Sequence, residues 1–130
     1  MSSENRTDFQ DAANDARDVI NDREKTSRLA EEAQDKADRH RSILAPIRND
    51  LDVLIRMARS WALGDYSTVP WKTLVLLMGA IIYFLNPIDV IPDFVFGLGF
   101  IDDIAVVQFV VRSIREDLDA FLAWEEAHAA

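Results

Sequence analysis

Thirteen consecutive residues without a charge, Thr73 to Leu85 (TLVLLMGAIIYFL), constrain this chain more than any other feature. A helix of that composition has no polar face, so it must be covered all round, by protein or by lipid. At 1.5 Å rise per residue it is roughly 20 Å long, against a bilayer hydrocarbon core of about 30 Å, so a simple crossing is short. Adding Trp71–Lys72 at one end and Asn86 to Ile91 at the other reaches the span. Trp71, Lys72 and Tyr83 then suit interfacial anchoring. A second apolar run, Phe94 to Val111, is interrupted by Gly97, Gly99, Asp102 and Asp103. Two short apolar segments split by Pro, Gly and acids fit a shallow or re-entrant helical hairpin, and fit equally two core helices of a soluble bundle. The hairpin reading, with residues 71–111 contacting membrane lipid, predicts a protein that partitions with membranes and resists a salt wash.

The other zones are polar or amphipathic, and the expected class is all-α. Ser2 to Ser42 has no Pro or Gly and is rich in good helix formers, so it predicts one long polar helix. With Phe9 as heptad position a, the a positions are Phe9, Ala16, Arg23, Ala30, Ala37, Leu44 and Leu51. The d positions are Ala12, Val19, Thr26, Ala33, His40, Ile47 and Leu54. The register holds except at Arg23, Thr26 and His40, but alanine buries little area. A weak coiled coil or antiparallel helix contact competes with a single solvated helix supported by pairs such as Glu32–Lys36. Self-association or a partner helix would use residues 6–43.

Pro46 lacks an N–H and predicts a kink, or the first turn of a second helix ending near Leu63. Ile47, Leu51, Leu54, Ile55, Ala58 and Ala62 form its apolar stripe, with Gly64 as the C-cap. A final amphipathic helix carries Ile104, Val107, Val111, Ile114, Leu118 and Phe121 on one face. The chain thus divides into an accessory helix, 1–45, and a helical domain, 46–130. Deletion of residues 1–42 is expected to leave the C-terminal domain folded and to lower any self-association.

Composition narrows the function classes. A net charge of −9 without a basic run argues against nucleic acid as partner. With no cysteine, a disulfide framework, a thiolate zinc site and a cysteine nucleophile are excluded. The start, MSSENRTDFQ, has no apolar core and predicts no cleavable signal peptide. The polar N-terminal helix is then expected on the cytoplasmic side.

Chemistry must come from the acids inside YFLNPIDVIPDFVFGLGFIDD: Asp89, Asp93, Asp102 and Asp103. Asn86-Pro87-Ile88-Asp89 has the form of a helix start, with Asn86 as N-cap, Pro87 at the first position and Asp89 at the third. Pro92 disfavours continuation of the turn, and Asp102 and Asp103 precede the last apolar helix, where an acid meets the positive dipole end. Buried backbone N–H groups must be paired, so carboxylates at helix ends have a structural role. Convergence of the four on Mg²⁺ or Ca²⁺ is one alternative, although no calcium-loop spacing is present. Paired-carboxylate hydrolysis is another. Neither His40 nor His128 supports a nucleophile, and each reads as a solvated residue. Pairing of an acid with Arg48, Arg56 or Arg59 is a structural variant.

The same stretch resembles the signature of the YkvA-like domain. That pattern is a Tyr, a Pro after three intervening residues, x-Asp-x-Ile-Pro-Asp, a Gly and an Asp-Asp pair. It falls on Tyr83, Pro87, Asp89, Ile91, Pro92, Asp93, Gly99, Asp102 and Asp103. The resemblance covers about Leu54 to Trp124. It implies a membrane-associated helical domain of unassigned function, with no known reaction, cofactor or substrate. The expected function is a non-enzymatic membrane-associated adaptor or scaffold. A soluble helical interaction module and a metal-dependent enzyme using the aspartates are the alternatives.

Overall fold

The uncharged run lies within a twenty-residue helix at the centre of the structure, Trp71–Val90. A computed structural model describes the backbone of residues 2–90 and 96–129, and the side chains of 9–85 and 104–129. The described residues are helical, with no strand. In chain order the helices are α1 (Ser2–Ile20), α2 (Arg23–Arg39), α3 (Arg48–Ala62), α4 (Trp71–Val90), α5 (Phe96–Ser113) and α6 (Arg115–Ala127). A short 3-10 turn, Ala45–Ile47, holds Pro46 between α2 and α3.

Helix α4 is covered by protein. Helices α1, α2, α3 and α5 all pack against it, α1 most extensively. Leu74, Leu77, Met78, Ile81 and Phe84 are buried, and Thr73 to Phe84 shows only Leu76 half-buried. No helix among the described residues is long and apolar enough to cross a membrane. The crossing considered for 71–91 is therefore corrected. Extending the run to bilayer length adds Trp71, Lys72 and Asp89, which lower its apolar density.

The N-terminal zone is also corrected, in two respects. It forms two helices rather than one, broken at Asn21–Asp22. Asp22 is extended and its carboxylate accepts from the Lys25 N–H at 3.1 Å. The Thr26 hydroxyl donates to Val19 O at 3.0 Å, which ties the new helix to the old one. Such local side-chain bonds compete with helix continuation. Second, the heptad face is buried inside this chain. Ala12, Ala16, Val19, Ala30, Ala33 and Ala37 join Leu44, Ile47, Leu51 and Leu54 in one core with α4, and Thr26 is buried too. A core of this extent crosses the expected boundary at 45/46. The approach of α1 to α4 is close because the surfaces are small: a Cβ on Gly79 would lie 3.2 Å from the Phe9 ring and 3.3 Å from Ala13 Cα.

Helix α3 follows its expectation. All six stripe residues are buried, and Gly64 takes φ 83°. The Asp65 N–H reaches Ser60 O and the Gly64 N–H reaches Trp61 O, both at 3.0 Å, which satisfies the last carbonyls of the helix. The expected final helix is split at Ile114 into α5 and α6. The Ser113 hydroxyl donates back to Phe109 O at 2.9 Å, an arrangement that bends helices. Tyr66, from the α3–α4 loop, packs on Phe121 and Trp124 of α6, with ring centroids 5.1 and 5.0 Å away.

Arg48 joins α2 to α3. It donates to Ala37 O at 2.8 Å, to both oxygens of Asp52, and to the Asp38 carboxylate. The bond from Arg48, and then that from Gln34, hold the Asp38 carboxyl below the usual carboxylate range. A folded pKa lowered in this way contributes stability above the unfolded value of about 3.9, and that contribution is lost as pH falls through the folded one. The thermal midpoint is expected to drop on acidification below about pH 4. Asp38→Asn should remove the Asp38 part of that dependence, and an unchanged acid limb in the variant would show that the pair contributes nothing.

Candidate functional site

The site assembles at the C-terminal end of α4, where the signature begins. Tyr83 is buried with its ring edge-on to Phe9, centroids 6.4 Å apart. One residue on, Phe84 is fully enclosed. Beneath it lies Lys36 of α2, only 3% exposed. Its ammonium donates to Phe84 O at 3.1 Å and Leu85 O at 2.9 Å, and lies 5.5 Å from the Phe84 ring centroid. Pro87 lies one turn beyond Tyr83, next to the two carbonyls that Lys36 meets. It has no N–H to give to Tyr83 O, and a proline ring crowds the carbonyl one turn before it. Carbonyls in such a turn are open to other donors, and the C-terminal half of a helix attracts a cation. A buried ammonium requires hydrogen bonds to offset its desolvation, and the two carbonyls supply them.

Lys36 was legible only as a surface charge paired with Glu32. It lies one residue before Ala37, a core heptad position, so it flanks the buried seam. That position is the one signal in the sequence that could have marked it.

The backbone moves the expected capping residues away from helix starts. Asn86, Pro87 and Asp89 lie within the end of α4, which runs unbroken to Val90. Asn86 therefore does not open a helix, and Asp89 sits near a C-terminus. Ile91, which Pro92 biases away from helical conformation, lies outside the described residues. Asp102 and Asp103 lie more than a turn inside α5, not at its start, and Gly99 lies in its first turn. The physical reason is that apolar residues on both sides favour continuing each helix, and this outweighs the local cap signals. Pro92 and Asp93, and the side chains of Asn86, Pro87, Asp89, Gly99, Asp102 and Asp103, fall outside the described residues. So do the metal alternative and the carboxylate pair. Among the described residues no cluster of His, Asp or Glu could hold a metal ion.

Two of the three arginines weighed as partners for these acids are engaged elsewhere. Arg48 holds Asp38 and Asp52, and Arg56 holds Glu125 through two bonds of 2.9 and 3.0 Å. His40 caps α2, with its N–H on Lys36 O and Ala37 O. His128 is exposed and stacks on Trp124. Beside the α4 end, a groove of about 430 Å³ is lined by Val19, Leu29, Ile82 and Leu85, with Asp15, Asp18, Lys25 and Glu32 at its sides.

Residues 73–109, from α4 through most of α5, match a family described as a protein of unknown function, DUF1232. The chain is also similar to the uncharacterized membrane protein YkvA of Bacillus subtilis (strain 168), at 42% identity over 74 residues. That overlap covers 57% of this chain and 70% of the relative. No solved structure matches the chain. That identity over more than two thirds of the relative, together with the family match over the signature residues, places the chain in the YkvA-like family of proteins of unknown function.

Proposed function

We propose that this protein is a non-enzymatic helical adaptor that docks on a membrane. The observation that carries the reading is the similarity to a relative named as a membrane protein. Docking is favoured over crossing by the enclosure of α4 within α1, α2, α3 and α5. Lipid contact falls to an exposed part of the 71–111 segment, where Trp71 at the start of α4 is a large apolar side chain left uncovered. The apolar side of 6–43 is used inside the chain, so a second copy or a partner helix would meet its charged outer face. The same enclosure of α4 favours a second reading, a soluble helical interaction module.

Fractionation of cells expressing the full chain separates them. The expected result is sedimentation with membranes in a low-salt buffer and release by alkaline carbonate. Retention after carbonate would mean embedding and overturn the docking reading. Recovery in the supernatant from the start, as a monodisperse species without detergent, would favour the soluble module.

A further inference from the structure

We propose that the corner between α3 and α4 is the surface that meets the bilayer, and that it selects anionic lipid. This rests on the membrane reading above. Among the described residues three large hydrophobics stand exposed: Leu63 at 58%, Trp71 at 53% and Phe109. The first two bracket the loop 64–70. That loop is pinned: its Tyr66 is buried against Phe121 and Trp124, and its first turn is closed by the Gly64 and Asp65 N–H bonds to α3. Leu63 and Trp71 are therefore held outward by an ordered corner.

Cations accompany them. Lys72 follows Trp71 and is exposed, and Arg59 lies one turn before Leu63 on the same side of α3. Arg23 reaches the corner from α2, with its guanidinium 4.5 Å over the Trp61 ring and bonded to Trp61 O. None of the three is in an ion pair among the described residues. The acids around them include Asp65 in the loop, Asp117, which accepts from the Thr73 hydroxyl, and Glu31 and Asp35 of α2, which line a groove with Arg59. An indole and a leucine flanked by Lys and Arg form the combination that settles at a headgroup boundary, rings in the interface and cations on phosphate. The chain as a whole carries −9, so an anionic bilayer repels most of its surface and favours approach by a corner of unmatched cations.

The test is flotation of the full chain with vesicles of phosphatidylcholine alone and of an equal mixture with phosphatidylglycerol. The wild type should bind the mixture more strongly. Leu63→Ser and Trp71→Ser should each lower binding about tenfold. Lys72→Glu should lower it about tenfold in the mixture only. Phe109→Ser, on α5, should bind like the wild type. Circular dichroism identifies any variant that fails to fold. Quenching of bound tryptophan emission by a shallow spin-labelled lipid should be strong in the wild type and weak in Trp71→Phe, since Trp61 is buried and Trp124 is half-buried against Tyr66 and Phe121. Absence of that quenching, or corner variants that bind undiminished, overturns the corner assignment and leaves the membrane reading standing. A wild type that floats with neither vesicle at low salt removes both.

Discussion

Deleting residues 1–42 is expected to abolish cooperative folding of the remainder. The deletion removes α1 and α2, and with them seven buried core residues from Ala12 to Ala37, counting Ala12, Ala16, Val19, Ile20, Ala30, Ala33 and Ala37. Burial of Val19 and Ile20 alone contributes roughly 3–6 kcal/mol, at about 1.5–3 kcal/mol for each side chain. A domain of this size has a net stability of about 5–15 kcal/mol, so the loss is comparable to the whole. The cut also uncovers the α4 surface around Gly79 and Tyr83, on which Phe9 and Ala13 pack, and removes the donor on Phe84 O and Leu85 O. Thermal unfolding followed by circular dichroism decides the matter. A truncated chain with the wild-type transition would restore the accessory-helix reading of 1–45.

Lys36→Met is expected to destabilise the protein by about 1.5–3 kcal/mol, the usual worth of a hydrogen bond to a charged group. Methionine keeps an unbranched side chain of similar length and removes the ammonium. The Phe84 and Leu85 carbonyls then lose a buried donor, in a turn where Pro87 already supplies no N–H to Tyr83 O. Lys36→Ala should cost more, because it also leaves a cavity beside Phe84. Urea midpoints with matched slopes measure both changes. A Met variant as stable as the wild type would show that desolvation of the ammonium cancels what its bonds supply, as happens for some buried charges.

Much of the helical architecture was legible in the residues. The α3 stripe from Ile47 to Ala62, the Gly64 cap and the buried face of the last two helices follow from spacing alone. The breaks were harder to read. Asp22 and Thr26 end α1 and start α2 through bonds that composition does not distinguish from helix-compatible polar residues. Near the signature, strong cap chemistry at Asn86 and Asp102 misleads, because the backbone of α4 and α5 continues through both.

Periodicity determined which side of each helix is apolar, and the short uncharged run determined that α4 must be covered on every side. What covers it was decided by tertiary structure. The alanine face at Ala12, Ala16, Ala30, Ala33 and Ala37 suits a second copy, a partner helix or this chain's own core equally well in one dimension. Burial energy follows area and has no direction, so a register names a face without naming its partner. Close approach at Gly79 and the reach of Lys36 to α4 carbonyls single out the internal partner. Both depend on residues more than forty positions apart, a separation that no local pattern encodes.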